Sequence, residues 1–282
     1  VLRDGRLIDT RNMKELSQKD IIEMMFGEVK IKERPKDLKI QDEIVMEVKG
    51  LTREGKYDDI NFSLRRGEVL GIAGMLGSGR TELLRGIFGA EPFEQGEVII
   101  GKSIFRSTNP VKMVRAGVGL TPEDRKTEGL ILIQSIRDNL CYASMYITAN
   151  GWIENKEMRN AFAEKQVKEL DIVISHLDAT CDSLSGGNQQ KVVVGNWLNT
   201  SPKIMLYDEP SRGIDVNAKQ QIFDIIWQQA CKGVSAIFVS TELEELLEVC
   251  HRILIMRKGR IVDEVYPENI KVSELYEICM GG

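Results

Sequence analysis

The sequence is poor in the features that mark membrane spans, metal sites, disulfide scaffolds and nucleic-acid binders. Its apolar runs fall short of the roughly 18 residues that a membrane-spanning helix needs. Only two histidines are present, His176 and His251, and their separation argues against a zinc site. The five cysteines form no Cys-x-x-Cys pair, which favours reduced thiols. Acidic residues outnumber basic ones by 43 to 38, which disfavours a nucleic-acid scaffold.

The overall composition, 42% hydrophobic and 29% charged residues, suits a globular protein. From residue 44 onward, short apolar strands alternate with helices, and this order predicts an α/β fold with a buried parallel sheet. Strands are predicted at 45–48, 60–64, 69–73, 97–100, 117–120, 204–207, 236–239, 253–256 and 260–265. Helices are predicted at 81–88, 110–116, 156–170, 188–198, 218–231 and 242–249.

Residues 74–81 read GMLGSGRT and fit the phosphate-binding pattern G-x-x-x-x-G-K-[ST], except that Arg80 replaces the lysine. Between a buried strand and a helix, such a loop binds phosphate oxygens through glycine amides and the helix N-terminus. Thr81 would bind Mg²⁺, and Arg80 keeps the positive charge on a longer, planar, forked side chain. The loop therefore predicts nucleoside triphosphate binding. The residues expected to contact the nucleotide here are Gly74, Gly77, Ser78, Gly79, Arg80, Thr81 and Glu82.

The apolar strand predicted at 204–207 ends in two acids, Asp208 and Glu209. At the carboxyl end of a parallel strand beside a phosphate loop, Asp208 would bind Mg²⁺, through water. Glu209 would polarise the attacking water as general base. An acidic turn at a strand end is common by itself, so the hydrolytic interpretation depends on the phosphate loop.

Residues 184–190 read LSGGNQQ, the most specific pattern in the chain. Ser185 alone would be explained as a helix N-cap, but the cap explains neither the two following glycines nor their position before Asp208. A serine hydroxyl, glycine amides and a helix N-terminus suit a γ-phosphate. The segment resembles the signature sequence of ABC-type ATPases.

The phosphate loop, the signature and the Asp-Glu pair occur in the order that ABC ATPases show. Two further segments, PEDRK at 122–126 and PSRGID at 210–215, make residues 44–282 similar to the ATP-binding subunits of sugar ABC importers. Those subunits carry two ATPase domains in one chain. The resemblance implies a P-loop NTPase fold of the ABC type, with a RecA-like parallel core sheet, an antiparallel β subdomain and a helical subdomain at about 136–198. It also implies ATP and Mg²⁺ as ligands.

By this resemblance, the signature grips the nucleotide of the opposite domain, and the loop at 212–215 faces that domain. Arg80, Glu123 and Thr241 stand where ordinary ABC ATPases have lysine, glutamine and histidine, whereas Glu209 is retained. These changes, typical of second domains in sugar importers, put turnover at this site in doubt. The candidate catalytic residues are Glu209, Arg80 and Glu123. Further nucleotide contacts are expected from Ser185, Gly186, Gly187, Asn188, Asp215 and Thr241.

The two ends of the chain resemble each other at a constant offset. VLRDGRLID at 1–9 aligns with IMRKGRIVD at 255–263, and each copy predicts strand, glycine turn, strand and a short helix. Residues 1–27 are therefore expected to be the C-terminal tail of a preceding ATPase domain, 28–43 a charged, solvated linker, and 44–282 the ABC ATPase domain. No signal peptide is visible, and the start at Val1 rather than Met suggests a fragment.

The function that the resemblance implies is ATP hydrolysis that powers carbohydrate import. The expected partners are the N-terminal ATPase domain of the same chain, transmembrane permease subunits and, indirectly, a periplasmic or extracellular sugar-binding protein, without nucleic acid. The expected location is peripheral, on the cytoplasmic face of the cell membrane. Residues 129–140 would either enter the core or form a groove for a permease helix. Three alternatives stay open: a nucleoside importer ATPase, a non-transport ABC ATPase, and a regulatory nucleotide-binding module without turnover.

Overall fold

The computed structural model describes residues 40–150 and 153–281, together with 2–3, 6–7, 9–10, 34–35 and 38. The strands are β1 (Leu2–Arg3), β2 (Arg6–Leu7), β3 (Ile44–Arg53), β4 (Tyr57–Arg65), β5 (Val69–Ala73), β6 (Gln95–Ile100), β7 (Ser103–Phe105), β8 (Val118–Thr121), β9 (Ala149–Asn150), β10 (Ile153–Glu154), β11 (Ile204–Asp208), β12 (Ser235–Val239), β13 (Arg252–Arg257) and β14 (Arg260–Val265). The helices are α1 (Arg80–Phe88), α2 (Pro110–Arg115), α3 (Ile136–Cys141), α4 (Met145–Thr148), α5 (Lys156–Glu169), α6 (Gly186–Leu198), α7 (Val216–Cys231), α8 (Leu243–Val249) and α9 (Val272–Met280).

The core sheet has the strand order β14-β13-β5-β12-β11-β8. All its strand pairs are parallel except β13 with the edge strand β14. Every residue of β5, β11 and β12 is buried, because both faces of the sheet are covered. Val69 and Ala73 pack in the layer that holds α6, α7 and α8, whereas Leu70 and Ile72 pack in the layer that holds α1. The strand β12 lies between β5 and β11 and runs parallel to both, so the carboxyl ends of β5 and β11 lie at the same edge of the sheet.

A second sheet is antiparallel and has the order β4-β3-β6-β7. Met46, Val48 and Ile60 of its buried face share one apolar cluster with α1 and the core sheet. On the other side of the core, α3 and α5 pack against α6 through an apolar cluster that includes Leu140, Ala163 and Val194. The predicted fold class, a parallel core with antiparallel and helical parts, is confirmed.

The predicted elements recur with shifts in their ends, and β3 continues five residues beyond the end of the predicted strand. The bounds of β5 and β14 are those predicted, while α6 begins two residues earlier than expected because Ser185 caps it. The elements β7, α3, α4 and the β9–β10 pair were not predicted, since segments of two to six residues are too short for a periodic pattern. In the described part of the chain, no helix combines the length and apolar character needed to cross a bilayer.

At the N-terminus, β1 and β2 pair antiparallel with Leu2 opposite Leu7 and Arg3 opposite Arg6. The aligned C-terminal residues pair in the same way, with Met256 opposite Ile261 and Arg257 opposite Arg260. The predicted hairpin is therefore present with the register of its C-terminal counterpart. The short helix predicted after it lies outside the described residues, as does much of the predicted linker.

Two described residues of the predicted linker contact the domain. Arg34 donates to the carbonyl oxygen of Cys250 and pairs with Glu268, and Leu38 packs against the apolar core. The expectation of a wholly solvated linker is wrong at these positions. The hydrogen bond and ion pair of the Arg34 guanidinium favour attachment of the linker to the domain over its solvation. Burial of the Leu38 side chain against the apolar core does the same.

Candidate nucleotide site

The loop at 74–81 joins the carboxyl end of β5 to the start of α1 and forms a close-fitting cradle. Gly79 has φ 99°, and a Cβ there would lie 2.6 Å from the carbonyl oxygen of Lys56. A Cβ on Gly74 would lie 2.4 Å from the carbonyl oxygen of Met256. The first turn of α1 presents amide groups that have no partner within the helix. Among the described residues, nothing bonds the buried Ser78 hydroxyl, so this cradle suits an anion such as a phosphate.

Residues from four parts of the sequence meet at this loop around a cavity of about 320 Å³. Glu123 follows β8, Glu209 follows β11 and Thr241 follows β12. They meet because the carboxyl ends of parallel strands lie at one edge of a sheet, where ligands bind in open α/β folds. The lining residues are Leu76, Gly77, Ser78, Gly79, Arg80, Thr81, Glu82, Glu123, Glu209 and Thr241.

Asp208 lies at the end of β11, 1% exposed, with its Oδ1 accepting a hydrogen bond of 3.1 Å from the Thr81 hydroxyl. The pKa of Asp208 is raised to about 7, chiefly by burial and also by the carboxylates of Glu123 and Glu209, while the bond from Thr81 acts in the opposite direction. A hydroxyl and a carboxylate are the hard oxygen donors that Mg²⁺ prefers. The two side chains therefore fit a magnesium ion.

Replacement of Asp208 by asparagine is expected to stabilise the nucleotide-free chain at high pH. Below about pH 4 the carboxyl is protonated in both the folded and unfolded states, and above about pH 7 it is ionised in both. The cost of burying the charge thus grows between these values. We expect Asp208→Asn to raise the free energy of unfolding by about 1–3 kcal/mol near pH 8.

Urea unfolding without Mg²⁺ at about pH 5 and about pH 8 measures this gain, which should be smaller at the lower pH. Asp42→Asn, at an exposed position, is the matched control and should change stability little at either pH. A gain that does not grow with pH would show that Asp208 does not bear the buried charge.

Glu209 is held between a hydroxyl and a guanidinium. Its Oε2 accepts a 3.2 Å hydrogen bond from the Thr241 hydroxyl, and its Oε1 lies 3.9 Å from Nη2 of Arg80. Burial raises the pKa of Glu209, while its bonds from Thr241 and the charge of Arg80 act in the opposite direction. The Nη1 of Arg80 donates to the carbonyl oxygen of Ser240 at 2.8 Å. Arg80 therefore lies across the floor of the cavity, between the phosphate loop and the candidate base.

Two acidic residues predicted to belong to the site are already paired. Glu123 forms an ion pair with Arg212, and Glu82 forms one with Lys56 at 2.8 Å. The pair between Glu123 and Arg212 joins the cavity to the loop at 212–215. The aromatic side chain of Tyr57 is buried against Gly86 and offers no exposed ring face on which a base could stack.

The signature residues lie elsewhere, on a second cavity of about 530 Å³ lined by Ser185, Gly187, Asn188 and Asp215, among others. Within the described ranges, its lining shares no residue with that of the phosphate-loop cavity. Ser185 caps α6 and its hydroxyl accepts a 3.1 Å bond from the Asn188 amide, whose oxygen accepts from the amide of Val173. Asp215 caps α7. The signature and the phosphate loop therefore line different cavities.

Arg125 lies in the PEDRK segment, and the sequence predicts no particular role for it. Its guanidinium donates to the carbonyl oxygens of Arg212 and Gly213, at 2.6 and 3.0 Å. A Cβ on Gly186 would lie 2.8 Å from its Nη2. Arg125 therefore joins the loop at 212–215 to the start of the signature helix. The sequence signal for Arg125 is its place within the PEDRK segment. Its backbone carbonyl acceptors leave no signal in the sequence.

The phosphate loop, the acidic strand end and the two flanking subdomains define a P-loop nucleotide-binding domain of the ABC type. The ABC transporter family model matches residues 57–212, and the chain belongs to this family. Over its whole length it is 38% identical to the ribose import ATP-binding protein RbsA of Geobacillus kaustophilus and covers 57% of that protein. It is 37% identical to a putative ribose/galactose/methyl galactoside import ATP-binding protein of Halalkalibacterium halodurans and covers 54% of it.

The chain thus spans little more than half the length of the curated relatives it matches. Among solved structures, it resembles a nucleotide-free ATP-binding cassette from an ABC transporter, with a TM-score of 0.71 and 22% identity. That match covers 83% of this chain and 99% of the other. A second cassette, in its ADP conformation, gives a TM-score of 0.69 at 21% identity, over 85% of this chain and 96% of that one. These likenesses establish the fold.

Proposed function

We propose that the chain is one ATPase domain of a carbohydrate importer and binds ATP at the loop of residues 74–81. The observation that carries the proposal is the convergence of Thr81, Asp208, Glu209 and Thr241 on that loop, at hydrogen-bond distances of 3.1 and 3.2 Å. The relatives named as ribose import ATP-binding proteins support sugar import.

In this proposal, each residue of the cavity has a distinct task. The cradle of amide groups holds the phosphates, and Arg80 contributes positive charge beside them. Thr81 and Asp208 would hold Mg²⁺, which when bound neutralises negative charge on the phosphates. Glu209 accepts the proton of the attacking water, and the Thr241 hydroxyl fixes the orientation of the carboxylate.

We further propose that hydrolysis at this site is slow. Burial raises the pKa of Glu209, but the charge of Arg80, 3.9 Å away, opposes that rise and so reduces the basicity that a general base requires. Glu123 is occupied by Arg212 and carries a charge where the family has a neutral glutamine. The same observations favour the second candidate function, a regulatory nucleotide-binding module. Direct measurement of turnover separates the two.

We also propose a tandem arrangement, in which residues 1–27 end a preceding ATPase domain, 28–43 link the two, and 44–282 form the second domain. The equal register of the β1–β2 and β13–β14 hairpins supports a repeat. The signature of each domain would meet the nucleotide of the other. The assembly would lie on the cytoplasmic face of the membrane and bind permease subunits, to which a sugar-binding protein delivers the sugar.

The transport proposal is tested with the longer protein reconstituted with its permease and binding protein. ATPase activity should rise with ribose or a related sugar. Stimulation by nucleosides but not by sugars would favour the nucleoside importer, and activity that no solute changes would count against transport.

Arg80→Ala is expected to weaken Mg-ATP binding by about 1–3 kcal/mol, the usual range for a charge-assisted hydrogen bond. The amide cradle does not depend on this side chain, so binding should persist in weaker form. Isothermal titration measures the change. Arg106→Ala, which removes a guanidinium at a largely exposed position, should leave the affinity as it was. Equal affinities for the unmutated chain and Arg80→Ala would show that Arg80 does not touch the nucleotide.

A further inference from the structure

The buried carboxylate of Glu245 does not line the phosphate-loop cavity, but it is hydrogen-bonded to two of the segments that form that cavity. Glu245, on α8, is 2% exposed. Its Oε2 accepts hydrogen bonds from the hydroxyl of Ser211, at 2.5 Å, and from that of Ser240, at 2.8 Å. Its Oε1 lies 3.0 Å from the ammonium group of Lys219, on α7. A buried ionised carboxylate requires such partners, and here two hydroxyls and a cation supply them.

The direction of the bond from Ser240 is fixed by its surroundings. The Ser240 oxygen accepts a 3.0 Å bond from the amide of Glu242, so its hydrogen is available for Glu245. Ser240 is fully buried, and its carbonyl oxygen receives the guanidinium of Arg80. Ser240 also precedes Thr241, whose hydroxyl bonds Glu209. The bond between Ser240 and Glu245 therefore fixes the position of residues 240–241. These residues supply the carbonyl acceptor of Arg80 and the hydroxyl that bonds Glu209.

The other end of the network holds the segment after Glu209. Ser211 lies two residues beyond Glu209, whose backbone has φ 48°, a left-handed conformation that side-chain-bearing residues rarely adopt. Such a conformation is energetically unfavourable and persists only where the surroundings enforce it. The Glu209 amide donates to the carbonyl oxygen of Val239 at 3.0 Å. With that bond and Ser211 anchored to Glu245, the strained residue is held on both sides.

We propose that Glu245 is a positioning residue that fixes the segments of Glu209 and Thr241 relative to each other, so that the cavity recognises the terminal phosphate of a nucleoside triphosphate. This inference rests on the proposed function. Glu245 contacts no ligand itself and acts through Ser211 and Ser240. Among the described residues, the network reaches the loop at 74–81 through the Arg80 side chain and not through the amide groups of the cradle. Binding of a diphosphate, which lacks the terminal phosphate, should therefore depend on the network much less.

The test compares two nucleotides on the 282-residue chain with Mg²⁺ by isothermal titration: ADP and the non-hydrolysable ATP analogue AMPPNP. Glu245→Gln keeps the shape of the side chain but removes its charge. We expect its Kd for AMPPNP to rise about 10-fold and its Kd for ADP to change by less than about 2-fold. Ser211→Ala, which removes one hydroxyl, should shift the ratio of the two affinities in the same direction and serves if Glu245→Gln does not fold.

Glu244→Gln is the matched control, because Glu244 lies on the same helix but is exposed. It should leave both affinities unchanged. Variants that weaken AMPPNP and ADP equally, or neither, would overturn the positioning role while the proposed function stands. If the unmutated chain binds neither nucleotide, the proposed function fails and the inference falls with it.

Discussion

Ser185→Arg in the longer protein is expected to abolish most of its ATPase activity, whereas Glu209→Gln is expected to remove much less. Ser185 caps α6 at a cavity separate from the phosphate loop. In the proposed tandem arrangement, an arginine there would block the nucleotide of the opposite domain. Glu209→Gln would disable only the site of this chain, which we propose to be slow because Arg80, Glu123 and Thr241 stand where the resemblance to ABC ATPases implies lysine, glutamine and histidine. Losing one preorganised contact typically slows chemistry about 10²–10³-fold, and such losses need not add.

Both variants are assayed in the longer protein with its permease and binding protein, by steady-state ATPase rates. Ser107→Arg introduces the same side chain at an exposed position away from both cavities and should leave the rate unchanged. If Glu209→Gln proves as damaging as Ser185→Arg, the site of this chain turns over as well and the asymmetric mechanism is wrong.

Gly79→Val is expected to weaken Mg-ATP binding by about 100-fold or more, which corresponds to about 2.7 kcal/mol. Gly79 has φ 99°, and its position for a Cβ lies 2.6 Å from the carbonyl oxygen of Lys56, a backbone atom that cannot rotate away. A β-branched side chain would therefore force the loop open at the point where its amide groups converge.

The control for this prediction is Gly101→Val, in the turn between β6 and β7. Gly101 also has a positive φ, 57°, but a Cβ there would meet nothing within 4 Å. Both variants should lose stability through backbone strain, whereas only Gly79→Val should lose nucleotide affinity in a titration. Retained affinity in Gly79→Val would mean that the loop does not form the phosphate cradle.

Much of the fold followed from local pattern. The five apolar residues of β5 and the helix after the phosphate loop were predicted, because burial on both faces and a glycine-rich turn leave clear signals. The start of α6 was placed too late, since two glycines are poor helix formers and only the Ser185 cap reveals that they belong to the helix. The six residues of α3 are too few to show a helical period.

The order of the motifs predicted that Thr81, Asp208 and Glu209 lie close together, but it did not predict their contacts. In the structure, Thr81 and Glu209 line the phosphate-loop cavity, and Asp208 accepts a hydrogen bond from Thr81. The turn of Arg80 toward the carbonyl oxygen of Ser240 could not be foreseen, because a backbone acceptor 160 residues away leaves no mark in the sequence. The role of Glu245 could not be foreseen either, because its side-chain partners come from three separate segments.

Isothermal titration of Mg-ATP into the unmutated 282-residue chain shows directly whether the loop at 74–81 is a nucleotide site. We expect one saturable site per chain, weakened by Arg80→Ala and nearly lost in Gly79→Val. No detectable binding of Mg-ATP to the folded, unmutated chain would contradict the proposed nucleotide site.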